Sequence, residues 1–292
     1  MDSDSNMNEL TKRTLFGALY VAIVIIAILT SPIVFLCVFA IASVIAVREH
    51  HQLLGDTIRT RVQGMILTLI LFVSVALAAV AGNIEAEMTK MGLLVYGIVL
   101  LLSLSAEIFR FGKTDTLQAW AHLLMGQVMV ALPFALMNII LLADPKLLLA
   151  LFILIWVNDS GAYCVGSLTA KRKGGNHKMA PTISPKKSWE GLFGGALFAV
   201  GAALILNHYG WLDAVVISPT HMTWILPLCV ALIVVAFGTM GDLMESMLKR
   251  SVGVKDSGKF LPGHGGALDR FDSMLLATPA VCLLLAILEW IK

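Results

Sequence analysis

Two polar stretches interrupt an otherwise apolar chain, and both carry residue types suited to handling anions. In the first, from Ile155 to Gly195, Asp159 follows a wholly apolar run. A carboxylate at that depth is expensive unless it meets a cation, a metal or water. Further along, Ser184, Pro185, Lys186, Lys187, Ser188 and Trp189 lead directly into another apolar run. If that run is a helix, its first N–H groups and its dipole favour an anion, and two adjacent lysines make the spot a phosphate seat. Thr182, Ser184 and Ser188 add hydroxyl donors, whereas Lys171, Arg172 and Lys173 read equally well as loop charges that only fix topology.

The second stretch, Gly241 to Ser273, reads GDLMESMLKRSVGVKDSGKFLPGHGGALDRFDS. Asp242, Glu245 and Lys249 share a face if the segment is helical, and a pair of ordinary helix ion pairs would also account for them. Gly253, Gly258, Gly263, Gly265 and Gly266 let backbone come close to a ligand. Asp269 and Asp272 lie three apart and so are expected to point the same way at the start of the last apolar run, with Arg270 between them. Two motif readings fail. Gly253 to Lys259 spells G-x-x-x-x-G-K, but Phe260 stands where a phosphate-binding loop needs Ser or Thr, and no strand precedes it. Glu49, His50 and His51 lack the spacing of a zinc-protease helix and are expected at the membrane interface.

The elements that must position these residues follow from hydropathy. Of 292 residues, 58% are hydrophobic and 14% charged, with a mean hydropathy of +0.87. Soluble domains run near about 25% charged, so the chain belongs in a membrane, and disorder, coiled coil and collagen are excluded. Net charge is +2, which calls for no nucleic acid. Nine apolar runs approach the length needed to span a bilayer, roughly 14–30, 32–47, 64–82, 91–107, 117–142, 147–166, 189–207, 222–240 and 273–291. The first two, divided by Thr30, Ser31 and Pro32, read either as a tight hairpin or as one broken re-entrant element. Leu15 to Leu29 reads as a retained span, not a removable leader.

With the N-terminus inside, every Lys and Arg of the 21 falls on the cytoplasmic side except Lys90, Lys146 and Lys292, as the positive-inside rule requires. The expected fold is therefore all-α and polytopic, with a tail over 1–13, N-terminal helices over 14–142 and a C-terminal catalytic region over 143–292. Its two charged loops, about 167–188 and 241–272, face the cytoplasm. Cys37, Cys164, Cys229 and Cys282 stand singly in or beside apolar runs and are expected to be buried thiols.

From Ser246 to Asp272 the string S-M-L-K-R, four residues, K-D-S-G, two residues, L-P-G-H-G-G, two residues, D-R-F-D resembles the signature of phosphatidate cytidylyltransferases, the integral-membrane CDP-diacylglycerol synthases. Asn158 to Glu190 is similar to their other cytoplasmic loop. Ala267 is smaller and Phe271 bulkier than the pattern, and neither departure touches a polar group. The resemblance implies that CTP and phosphatidic acid combine into CDP-diacylglycerol and pyrophosphate with Mg²⁺, on the inner face of a bacterial membrane. It implies Asp242 and Asp269 as principal magnesium ligands, with Asp272 and Asp159 as further candidates. Lys249, Arg250, Lys255 and Arg270 are then expected on the triphosphate or departing pyrophosphate. Lys186, Lys187, Ser188, Ser246, His264, Gly265 and Gly266 are expected to contact substrate. A homo-oligomer is compatible with such a chain. Two other readings stay open: a CTP-dependent enzyme acting on a polyprenyl or ether lipid, and a membrane transporter.

Overall fold

A computed structural model describes residues 2–80, 85–112, 115–212, 225–258 and 265–291. Among them, eight helices are long and apolar enough to cross a bilayer: Pro32–Leu53, Ile58–Leu77, Glu87–Ile108, Thr116–Ala143, Pro145–Ala170, Trp189–His208, Ile225–Ser251 and Leu268–Trp290. The protein is an all-α integral membrane protein. The remaining expected span corresponds to Thr14–Thr30, a shorter apolar part of α1 (Asp2–Thr30). One residue, Ser31, separates α1 from α2 (Pro32–Leu53). Its hydroxyl accepts from Val34 N at 3.2 Å and Pro32 opens the helix, so the break is a designed N-cap.

The chain forms two compact units. The first comprises residues 1–142 and returns with 252–271. It contains α1, α2, α3 (Ile58–Val80), α4 (Glu85–Ile108), α5 (Thr116–Gly126) and α6 (Leu132–Ala143), followed late in the chain by the short α10 (Leu268–Phe271). Between α5 and α6 lies a π-helical turn, Gln127–Ala131, one position ahead of the residue preceding Pro133. A proline deletes one helical hydrogen bond and crowds the turn before it, which the wider turn relieves.

The residues at the end of α2 in this unit are packed inside the protein. Glu49, His50 and His51 are 5%, 1% and 0% exposed. Asp56, in the turn between α2 and α3, receives His51 Nδ1 on one carboxylate oxygen and His122 Nδ1 on the other, each at 2.6 Å. The His51 ring has room there because Gly64 and Gly126 lack side chains: a Cβ on either would collide with or crowd it. Burial alone would raise the Asp56 carboxyl, but the two histidine hydrogen bonds outweigh it and hold it below the usual carboxylate range.

The second unit comprises residues 143–251 and 272–292. Its helices are α7 (Pro145–Ala170), α8 (Trp189–His208), α9 (Ile225–Ser251) and α11 (Met274–Ile291), with an antiparallel hairpin of β1 (Lys178–Ala180) and β2 (Ser184–Ser188) between α7 and α8. The hairpin is a small addition that sequence reading did not foresee. Asp144 and Ser188 cap α7 and α8, accepting from Lys146 N at 2.7 Å and Gly191 N at 3.1 Å. Small residues bring α7 and α8 together. A Cβ on Gly194 would strike Val165, and one on Gly195 would lie 2.6 Å from the Asn158 carbonyl, the close approach that helices in lipid use in place of a hydrophobic drive.

The cysteines depart from expectation. Cys37 and Cys164 are exposed, and Cys229 and Cys282 partly so. All four lie in apolar helices, where the surface of a lone chain is the surface that lipid covers.

Candidate active site

In the second unit, five elements, β1 through Met179 among them, converge on a cavity of about 330 Å³. Helix α7 contributes Asn158 and Asp159, β2 contributes Lys186 and Lys187, the start of α8 contributes Ser188 and Gly191, and α9 contributes Thr239 and Asp242. Lys187 Nζ pairs with Asp242 Oδ2 at 2.7 Å and also donates to the Thr239 carbonyl at 3.3 Å. Ser246, one turn beyond, donates to Asp242 Oδ1 at 3.2 Å, so both oxygens of that carboxylate are oriented. Asp272 lies within electrostatic reach of Asp242, Asp159 and Lys187, and its Oδ1 accepts from Ser273 N at 2.6 Å. Gly241 makes this approach feasible, since a Cβ there would meet the Asp272 carbonyl.

The hairpin is what delivers the lysines. Lys178 stands opposite Ser188 and Ala180 opposite Ser184, and Trp189 N closes the base by donating to the His177 carbonyl at 3.0 Å. Glu190 receives both His177 N and His177 Nδ1, the latter at 2.6 Å. The lysine pair is thereby fixed at the start of α8, where Ser188 and Gly191 line the same cavity. Lys171, Arg172 and Lys173 are exposed and outside the cavity lining.

Other expected residues are placed elsewhere on α9 or in the first unit. Lys249 is buried and pairs with Glu245 on its own helix. Arg250 reaches the Ile183 carbonyl with Nε at 3.4 Å. Lys255 is exposed. Asp269 and Asp272 do not share a helix face, contrary to expectation. Helix α10 ends at Phe271, Asp272 occupies the turn before α11, and the two aspartates belong to different units. His264 lies outside the described residues.

Asp269 stands in a second constellation, wholly within the first unit. Its Oδ2 accepts from Ser257 N at 2.9 Å, Ser257 Oγ at 2.9 Å and Gly266 N at 2.7 Å. Glu49 on α2 completes the group, its Oε2 accepting from Ser257 Oγ at 3.1 Å and Leu268 N at 2.9 Å. The glycines here serve that contact. A Cβ on Gly258 would strike Glu49, one on Gly265 would strike Asp269, and one on Gly266 would strike both Ser257 and Glu49. Gly265 also has φ +79, the left-handed region that glycine enters without strain. Phe271, the bulky departure from the motif, packs its ring on Phe39, Phe134 and Tyr20 with centroids 5.7, 5.0 and 5.8 Å away. Tyr20 adds a hydrogen bond to the Arg270 carbonyl at 3.2 Å. Arg270 Nε is buried without a hydrogen-bond partner among the described residues, a donor suited to an incoming anion.

Glu49 is the residue that sequence reasoning missed. A signal existed, an acid followed by two histidines at the end of an apolar span, which in a membrane marks a functional site by default.

Asp159, Asp242 and Asp272 outnumber the lysines beside them, and hard carboxylate oxygens are the donor set that Mg²⁺ takes. Among the described residues no three acidic, histidine or cysteine side chains stand in a closed metal cage. Magnesium does not require one, since it is commonly held by one or two carboxylates with water and substrate phosphate. The second-unit carboxylates fit such an ion.

The model of the cytidylyltransferase family matches residues 11–288. The chain belongs to that family. Relatives include a phosphatidate cytidylyltransferase of Haemophilus influenzae, 47% identical over 133 residues that cover 46% of this chain and 43% of the relative. Another, from Staphylococcus epidermidis, is 42% identical over 140 residues, covering 48% and 49%. One from Staphylococcus aureus is 42% identical over 134 residues, covering 46% of each chain. The matched stretches span about half the length of these curated relatives.

Proposed function

We propose that the protein is a phosphatidate cytidylyltransferase, joining CTP and phosphatidic acid into CDP-diacylglycerol with release of pyrophosphate. The observation that carries this reading is the cavity of the second unit, where Lys186, Lys187 and the capped start of α8 face Asp159 and Asp242. A cationic anion seat set against surplus carboxylates is what a metal-assisted transfer between two polyanions requires. The family membership and the names of the relatives support the same reaction. The basic loops favour a cytoplasmic site in the inner membrane of a bacterium.

The reaction needs a phosphate oxygen of the lipid to attack the α-phosphorus of CTP. That oxygen is largely ionised near neutral pH, because a phosphomonoester's second pKa is about 6. A strong general base is therefore unnecessary, and positioning and charge neutralisation dominate. Lys186 and Lys187 hold one substrate's phosphate, helped by Ser188 and the α8 amides. Asp242, oriented by Lys187 and Ser246, together with Asp159 and Asp272, would hold magnesium. When bound, the ion neutralises charge on the α-phosphate and the departing pyrophosphate. The resemblance also gives Asp269 a magnesium role and places Arg270, Lys255, Lys249 and Arg250 on phosphate, with His264, Gly265 and Gly266 at substrate. The buried, unpartnered Nε supports this for Arg270.

The deciding measurement is pyrophosphate release from CTP by purified protein, with and without magnesium and phosphatidic acid. Release that needs both is expected. Release only with a polyprenyl phosphate or an ether lipid would move the assignment to those substrates, and solute flux in proteoliposomes without CTP turnover would replace it with transport.

A further inference from the structure

We propose that Glu49 is the positioning residue for the glycine-rich segment that carries Asp269 and Arg270, an inference that rests on the cytidylyltransferase reading for its link to turnover. Residues 252–258 and 265–271 contain little regular structure beyond the four-residue α10. Such a segment needs an external anchor to hold side chains in one geometry. Glu49 supplies it from α2, more than 200 positions away in sequence: its Oε2 accepts from Ser257 Oγ and Leu268 N across separations of 208 and 219 residues.

Three features make this an anchor and not a chance contact. Glu49 is 5% exposed, and a carboxylate so deep is costly unless fully hydrogen-bonded. Its two bonds bracket the segment, with Ser257 ahead of the glycines and Leu268 beside Asp269. Gly258 and Gly266 both lack the Cβ that would collide with the Glu49 side chain, so the backbone is shaped to receive it. Ser257 then links the two acids. Its hydroxyl has one hydrogen and lies within hydrogen-bond distance of both Glu49 Oε2 and Asp269 Oδ2, while its own N–H and that of Gly266 donate to the same Asp269 oxygen. Displacing Glu49 releases Leu268 and Ser257 together, and Asp269 moves with them. The helix end that bears Glu49 is itself held, because His51, two residues on, is bound to Asp56 and thereby to His122.

Acting by hydrogen-bond acceptance, Glu49 can be replaced by an uncharged isostere but not by a methyl group. In Glu49→Ala, kcat is expected to fall by about 100-fold, the scale of an ångström-level misplacement, with KM for CTP changed by less than about threefold. Glu49→Gln, which retains an acceptor oxygen, should restore turnover to within about fivefold of the parent. Hydrogen exchange of the full-length protein in lipid nanodiscs gives the readout independent of activity. Amides in 252–258 and 265–271 should exchange at least about tenfold faster in Glu49→Ala, with 184–208 unchanged. Should Glu49→Ala accumulate poorly, Ser257→Ala is the second variant, with faster exchange in the same two segments expected.

Two results would overturn the proposal: parental exchange in both segments of the alanine variants, or Glu49→Gln as inactive as Glu49→Ala, which would make the charge itself the requirement. If the parent protein makes no CDP-lipid, the cytidylyltransferase reading falls, and the exchange measurement still decides whether Glu49 anchors the segment.

Discussion

Two groups of carboxylates, one in each unit, are treated in opposite ways. In the first, Glu49 and Asp269 are met by neutral donors, Ser257 and the amides of Ser257, Gly266 and Leu268, which hold a loop in place. In the second, Asp159, Asp242 and Asp272 stand near one another with Lys187 as the ion-pair partner of Asp242, beside an open cavity. Acids matched by fixed dipoles build structure, whereas acids in excess of their cations create an attraction for a metal or a bound phosphate's counter-ion. One motif serves both ends, since Asp269 and Asp272, three residues apart, are divided between the units.

That contrast is most sharply tested by removing one acid from each side. Asp242→Ala and Asp269→Ala should each remove ~3 kcal/mol or more of transition-state stabilisation, about 100-fold in turnover. Only Asp269→Ala should also speed hydrogen exchange in 252–258. Equal exchange behaviour in the two variants would erase the distinction. A smaller loss is expected at the cation: Lys187→Ala should cost about 1.5–3 kcal/mol in kcat/KM, the range for a charged hydrogen bond. Lys171→Ala, in an exposed position off the cavity, should be close to neutral in the same assay.

Glycine substitutions probe the packing side of the comparison. Gly266→Ala forces a methyl group into Ser257 and Glu49 and should cost about 1–3 kcal/mol of stability with loss of turnover. Gly201→Ala on α8 meets nothing within 4 Å and should be neutral or stabilising by up to about 1 kcal/mol. Thermal unfolding in detergent compares the two. A pH-dependent effect is expected at Asp56. Its folded-state pKa is depressed, so its contribution is present above its ordinary value of 3.8 and is lost as pH falls through the lowered folded value. Asp56→Asn should therefore lower the melting temperature at pH 7, by about 1–2 kcal/mol of stability, and the gap to the parent should close in acid below that range.

Much of this was legible from sequence because hydropathy alone fixes spanning helices, and because acids and lysines in an apolar chain cannot be incidental. Lys186, Lys187, Ser188 and Asp242 were identifiable in that way, as local residue types beside a helix start or on one helix face. What was hidden depended on distance or on a broken period. Glu49 could not be tied to Ser257 and Leu268 by any spacing rule, since its partners come from the far end of the chain. The i, i+3 rule that grouped Asp269 with Asp272 holds only inside a continuous helix, and the turn at Asp272 and Ser273 ends it. The hairpin escaped notice because its strands are polar and short, with a register set by pairing across the turn and not by alternating hydrophobicity.

The π-helical turn at Gln127–Ala131 makes the span Thr116–Ala143 sensitive to length in a way that composition does not reveal. A one-residue deletion within it would be absorbed by restoring even α-helical winding, whereas the same deletion in the regular helix just ahead of Phe134 would rotate everything beyond it by about 100°. Phe134 would swing off the ring of Phe271, and the segment presenting Arg270 would lose a wall without any substitution in the signature itself.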